Sequence, residues 1–193
     1  MANDSSGLEE RRRSQYYIFR LHKKVRKREF RKLHLSSECR QPDKPIYSWE
    51  LTSALRGDSP QLIPLLERIE GELGDVCADK AFASRDNAQY IEDRGGRPFL
   101  MPKDNATALA KGHPAWRRMV LYRKNHPESF EKRYHKRSNV EAANSSFKRR
   151  LGAYLRSRIW WNQRREVGLK VIAYSLCLLI RFRIRNGINQ GGC

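Results

Sequence analysis

Glu141 is the only acid between Arg133 and Arg165, a stretch that carries ten Lys or Arg side chains. A run this cationic suits a polyanion, and one carboxylate inside it weakens that attraction. Two chemistries account for the exception. Ser138-Asn139-Val140-Glu141 has the Ser-x-x-Glu spacing of a capping box, which opens a helix. A carboxylate at a phosphate site is also a hard oxygen ligand for a divalent cation. The two roles are compatible. Asp4, near the start, and Asp79, which ends the short apolar run from Asp75, are the acids that can join Glu141. Carboxylates at strand ends and on one crossing helix can converge, and two ions held between them activate an attacking hydroxyl and stabilise a leaving oxygen.

With 21 acids in the chain, composition singles out no triple. Read one by one, Asp4 is a terminal residue and Asp79 a turn residue paired with Lys80. Spacing is more selective. Tyr134, Arg137, Glu141 and Lys148 fall at i, i+3, i+7 and i+14, within roughly 60° of a helix at about 100° per residue. If Ser138 caps the helix, only Glu141 and Lys148 share that face strictly. A carboxylate for metal beside a guanidinium and an ammonium for phosphate is a coherent set. A solvated, charge-patterned helix face is the plainer alternative.

These residues need elements to position them. At 193 residues the chain can bury one real core. Lys plus Arg outnumber Asp plus Glu by 40 to 21, a net charge of +19 that points to nucleic acid. The most apolar run, Val171 to Ile180, is bounded by Lys170 and Arg181 and is too short to span a bilayer. No signal peptide is visible at Met1, and the expected setting is the cytoplasm. Cys39, Cys77, Cys177 and Cys193 form no CxxC pair, so neither a zinc site nor a disulfide framework is indicated.

Residues 11–32 hold eleven Lys or Arg with apolar residues interleaved, which predicts two strands joined by the basic turn Lys23 to Arg28, the second strand running from Phe30 to Leu35. Ile46 to Thr52 alternates as a third strand. Asp58 or Ser59 can cap a helix that has Pro60 in its first turn and ends before Gly71. A strand over 75–79, a helix over 84–94 and a strand over 97–101 follow. Helices are predicted over 114–134, 138–151 and 161–185. The order implies an α/β architecture with a mixed sheet and a helical C-terminal part. In the last helix Leu169, Ile172, Ala173, Leu176, Leu179 and Ile180 are expected to pack in the core, with contacts between two copies as the alternative use. Trp160 and Trp161, among Arg156, Arg158, Arg164 and Arg165, either anchor a helix or stack on unpaired bases. His113 and His135 are read as surface or hydrogen-bonding residues.

Tyr134-x-x-Arg137-x-x-x-Glu141-x-x-x-x-x-x-Lys148 resembles the Tyr-Arg-Glu-Lys signature of one large group of DDE-type bacterial and archaeal insertion-sequence transposases. Ala78-Asp79-Lys80-Ala81-Phe82 resembles the segment around the family's second catalytic aspartate, and Asp4-Ser5-Ser6-Gly7 the segment around the first. Lys32-Leu33-His34 and Gly57-Asp58-Ser59-Pro60 are similar as well. The resemblance implies an RNase H-like fold over 1–193, with Asp4, Asp79 and Glu141 holding two Mg²⁺ or Mn²⁺ ions. It implies cleavage of double-stranded DNA at transposon ends and attack of the freed 3′-OH on target DNA, in a prokaryotic nucleoid. Arg137, Lys148, Tyr134, Arg149, Arg150, Arg156, Arg158, Trp160 and Trp161 are the expected DNA contacts, and a homodimer is a further expectation. Only three residues precede Asp4, so the first strand is expected to be nearly absent, along with an N-terminal region that recognises transposon ends. A chain so shortened that it only binds DNA is the alternative.

Overall fold

The computed structural model describes residues 1–10, 30–38 and 44–187. Six strands form one sheet: β1 (Ala2–Glu10), β2 (Phe30–Ser37), β3 (Ile46–Ser53), β4 (Asp75–Ala78), β5 (Arg97–Leu100) and β6 (Tyr154–Leu155). The order is β3-β2-β1-β4-β5, with β6 against the far end of β1. β1, β2 and β3 pair antiparallel, while β4 and β6 run parallel to β1 and β5 runs parallel to β4. Among the described residues six helices flank the sheet: α1 (Leu62–Glu67), α2 (Arg85–Asp93), α3 (Pro114–Asn125), α4 (Pro127–Tyr134), α5 (Ser138–Leu151) and α6 (Trp160–Arg185). This mixed sheet between helices is the RNase H-like α/β fold.

The first strand differs from the expectation. β1 is not nearly absent but nine residues long, and Asp4 lies inside it. Its sequence, Ala-Asn-Asp-Ser-Ser-Gly-Leu-Glu-Glu, has little intrinsic strand preference and no clean alternation. Its conformation is imposed by neighbours, because β2, β4 and β6 all bond to it. The strand expected before Phe30 and the basic turn Lys23 to Arg28 lie outside the described residues. Phe30 to Leu35 and Ile46 to Thr52 are strands as expected, each slightly longer.

Register decides which side chains meet. Asp4 is opposite Leu35 and Ser5 is opposite His34 on β2. Asp4 and Ser6 therefore turn to one face, where α5 lies, and His34 turns to the other. There His34 shares a hydrogen bond with Thr52 and lies 3.7 Å from Asp58. Asp58 does not cap a helix. It accepts a hydrogen bond from Lys32 Nζ at 3.0 Å, and the chain enters α1 through a 3-10 turn at Ser59–Gln61. Ser84 does cap α2, accepting from the Asn87 backbone N–H.

The helix expected over 114–134 is two helices. Pro127 takes the first turn of α4, and His126 before it leaves the helical region, as the clash with a following proline ring requires. From α4 a 3-10 turn at His135–Arg137 leads directly into α5. Ser138 is itself helical and bonds no backbone N–H with its side chain, so the capping box does not form. α5 ends at Gly152, whose φ of +84° favours glycine, and β6 follows at once.

α5 presses Val140, Ala143, Asn144 and Phe147 into the protein. Phe147 is fully buried and meets the Tyr174 ring of α6 edge-on at 5.8 Å. Cys77 is buried, its thiol donating to the Arg133 carbonyl at 3.3 Å, and Cys177 is exposed; Cys39 and Cys193 lie outside the described residues. Among the described residues no helix is long and apolar enough to cross a membrane. Because Phe147 is the largest apolar side chain on the buried face of α5, Phe147→Ala should destabilise the fold by about 3–5 kcal/mol, read as a lowered denaturant midpoint at unchanged slope.

Candidate active site

The β1–β4 pairing ends at Asn3 and Ala78. Asp4 and Asp79 are the next residue on each strand, so the sheet itself delivers the two aspartates to one point. Asp79 leaves β4 in an extended conformation and caps the short 3-10 turn Lys80–Phe82, its Oδ1 accepting from the Lys80 backbone N–H at 2.7 Å. The Lys80 ammonium turns away to Asp104, at 3.0 Å. The pairing of Asp79 with Lys80 is thus through backbone.

α5 crosses above this point. Asn144 donates from Nδ2 to Asp4 Oδ2 at 2.9 Å, and its Oδ1 accepts from Ser6 Oγ at 3.2 Å. One buried amide thus ties the helix to two residues of β1. Glu141 lies one turn before Asn144 and Lys148 one turn after it. Asn144 is the site residue that the sequence reading passed over. Its only signal was its place at i+3 from Glu141 and i−4 from Lys148.

The charges of the site converge on Arg137. Its guanidinium bonds Glu141 at 2.8 Å and lies over the Tyr134 ring, 5.7 Å from the centroid. Burial works to lower its pKa, but Tyr134, Glu141, Asp79 and Asp4 together outweigh that and raise it. One cation therefore feels all three acids. Tyr134 is fixed from below by a stacked contact with buried Phe130, 6.2 Å between centroids. Burial pushes its hydroxyl up, Arg137 opposes, and the charge of Asp79 adds to the rise.

Asp4 is held above the ordinary carboxyl range. Burial pushes its carboxyl up; the Ser5 N–H, the Asn144 amide and the Arg137 charge pull it back, and Glu141 adds to the rise. Lys148 is shifted the other way. Burial lowers its ammonium, partly offset by attraction to Asp4.

A family model described as a transposase DDE domain matches residues 2–176. The chain belongs to the DDE transposase family. No curated protein and no solved structure matches it. The family match spans all six strands and most of α6, and DDE transposases act on DNA with divalent metal ions. In this member, three His, Cys, Asp or Glu side chains are nowhere gathered closely enough to hold a metal ion among the described residues. Glu141, half exposed, is drawn instead to Arg137.

The remaining expected DNA contacts spread outward from this point. Arg149 and Arg150 are exposed at the end of α5. Arg156 is exposed and stacks on Tyr154, while its backbone N–H and that of Ser157 donate to Glu166. Arg158 is exposed. The tryptophan pair divides: Trp160 packs against the core under the Arg31 guanidinium, and Trp161 is exposed. His113 pairs with Asp86 and His135 with Glu131.

The shift of Asp4 has a testable sign. Its folded pKa lies above the ordinary 3.8, so between the two values the folded state binds more protons than the unfolded. Stability falls as pH rises through that window and stays lower above it. Asp4→Asn should therefore raise the thermal midpoint at pH 7 by a few degrees, roughly 2–4 °C per kcal/mol for a domain of this size. The gain should shrink as pH is lowered toward 3.8. Thermal unfolding across pH checks it; a gain independent of pH would assign the effect to packing.

Proposed function

We propose that residues 1–193 form the catalytic domain of an insertion-sequence transposase that cuts double-stranded DNA at transposon ends and joins the freed 3′-OH to target DNA. Asp4, Asp79 and Glu141 are its catalytic carboxylates in this reading. The observation that carries it is the geometry around Asp4: the β1–β4 pairing ends at Asn3 and Ala78, just before Asp4 and Asp79, and Asn144 ties α5 to Asp4 one turn from Glu141.

The donor set suits Mg²⁺ or Mn²⁺. All three groups are hard carboxylates, and Asp4 is held up in pKa by burial and by Glu141, a penalty that a bound cation would relieve. Asp4 and Asp79 would hold the metal from the sheet and Glu141 from the helix, once released from Arg137. The chemistry such ions supply, two to a site, is activation of the attacking oxygen and stabilisation of the leaving one.

The chain's own residues do the rest. Asn144 orients the Asp4 carboxylate. Arg137 has a buried Nε without a hydrogen-bond partner, a donor that a DNA phosphate oxygen would satisfy. Releasing Glu141 frees more of the guanidinium for the same phosphate. Lys148, on the other side of Asp4, meets the next phosphate as a point charge. Tyr134 forms the wall beside the scissile strand. Arg149, Arg150, Arg156 and Arg158 bind the backbone farther out, and of the two tryptophans Trp161 is the one open to an unpaired base. In the first step water breaks a phosphodiester to leave a 3′-OH and a 5′-phosphate. In the second that 3′-OH displaces the 3′-oxygen of a target phosphodiester and becomes joined in its place.

A Mg²⁺-dependent nicking assay on transposon-end DNA tests this. Glu141→Gln should lose at least about 100-fold in rate, the upper end of what loss of even a supporting group does at a metal site, while DNA affinity stays near wild type. Equal nicking by both proteins would remove Glu141 from catalysis. Binding without nicking by either would favour a chain that only binds DNA.

A further inference from the structure

Lys32-Leu33-His34 and Gly57-Asp58-Ser59-Pro60, both singled out in the sequence, contribute no side chain to the active site. They meet on the face of the sheet opposite α5. Lys32 Nζ donates to Asp58 Oδ1 at 3.0 Å and to the Arg56 carbonyl at 3.1 Å. His34 is fully buried, shares a hydrogen bond with Thr52 Oγ1 at 2.9 Å and lies 3.7 Å from Asp58. Ser59 is held by Asn87 of α2, whose Nδ2 donates to the Ser59 carbonyl at 2.9 Å and to Ser59 Oγ at 3.2 Å. A buried polar array of this kind fixes one arrangement, because any shift leaves a donor or acceptor unpaired in a low dielectric.

The array closes on Phe82. The Phe82 ring is buried and meets the His34 ring edge-on, with 6.3 Å between centroids. The Phe82 carbonyl accepts from Asn87 Nδ2 at 2.7 Å, the shortest of the three bonds that this amide group makes. Two hydrogens there serve three acceptors, so Asn87 clamps Phe82 to Ser59. Asn87 is 3% exposed, and its own backbone N–H is taken by the Ser84 cap.

Phe82 is the far end of the turn that begins at Asp79. Its backbone N–H donates to the Asp79 carbonyl at 2.9 Å, and the Asp79 side chain caps the same turn at Lys80. On the near side, Ala78 is locked in the sheet between Asn3 and Leu100. Asp79 therefore has two anchors. The sheet fixes where its backbone stands, and the turn, through Phe82, fixes how its side chain leaves.

We propose that Asn87 and His34 are positioning residues that clamp Phe82, by its carbonyl and by its ring, and so set the Asp79 carboxylate for a divalent cation. This rests on the reading of Asp79 as a metal-binding carboxylate. A role confined to holding layers together would not require a direct bond from Asn87 to the last residue of the Asp79 turn.

The test is Mn²⁺ binding to the DNA-free full chain, followed by loss of the free-ion electron paramagnetic resonance signal. Asn87→Ala and Phe82→Leu should each weaken binding at least about tenfold, as loss of a group supporting a metal ligand does. The Mn²⁺ concentration that half-saturates nicking should rise by the same factor, while DNA affinity stays near wild type. Phe82→Leu keeps an apolar side chain in the core and gives the result should Asn87→Ala not fold. Leu65→Ala, a buried change on α1, controls for general loosening: it should lower the denaturant midpoint and leave Mn²⁺ binding unchanged. Asp79→Asn separates the positioning role from the reading beneath it. If Asp79→Asn binds Mn²⁺ as tightly as wild type, the assignment of Asp79 falls and the positioning role with it. If Asp79→Asn loses the ion and the two turn variants bind it like wild type, or no more weakly than Leu65→Ala, the positioning role alone is overturned.

Discussion

A hydrogen bond between two side chains 140 residues apart fixes the geometry on which everything else rests. Asn144 on α5 holds Asp4 on β1, and the same amide accepts from Ser6. Neither partner can be apolar without losing the link between helix and sheet. Because Asn144 is one turn from Glu141 and one turn from Lys148, tying it to β1 also fixes a carboxylate and an ammonium on either side of Asp4. The packing of Phe147 below holds the helix at that height, and Gly152 turns the chain so that β6 can close on β1.

The penalty for this geometry is electrostatic. A carboxyl sunk beneath a helix resists ionising, and a second acid nearby makes it worse. Arg137 is the local remedy, and the basic run from Arg133 to Arg165 is the wider one. The same positive field that steadies three acids attracts a DNA backbone, so stability and substrate binding draw on one charge distribution.

Much of this was legible in the sequence, and the gaps have physical causes. The strands over 30–35, 46–52, 75–79 and 97–101 carried their own patterns, as did the helices after residue 137, because local preference and burial agree there. β1 was not legible, since Asn, Asp, Ser and Gly form a strand only when neighbours on both sides supply the bonds. The break at Pro127 was signalled by the proline and outweighed by the continuous helical pattern around it. Ser138-x-x-Glu141 had the letters of a capping box, but the preceding segment is already helical, so there is no helix start to cap. Tyr134, Arg137, Glu141 and Lys148 were readable as a face because spacing survives folding. Asn144 was not, because nothing marks a buried amide until its partner is known. The apolar positions of α6 were readable as apolar and misassigned as to side, with Leu169, Ile172, Leu176, Leu179 and Ile180 exposed, since periodicity marks a stripe without saying which stripe faces inward.

The direct measurement is a crystal structure of the protein grown with Mn²⁺ and collected at a wavelength where manganese scatters anomalously. A manganese peak bonded to Asp4 and Asp79 is expected, with Glu141 turned from Arg137 toward the metal. A fully loaded crystal with no peak between the two aspartates, and with Glu141 still paired to Arg137, would contradict it.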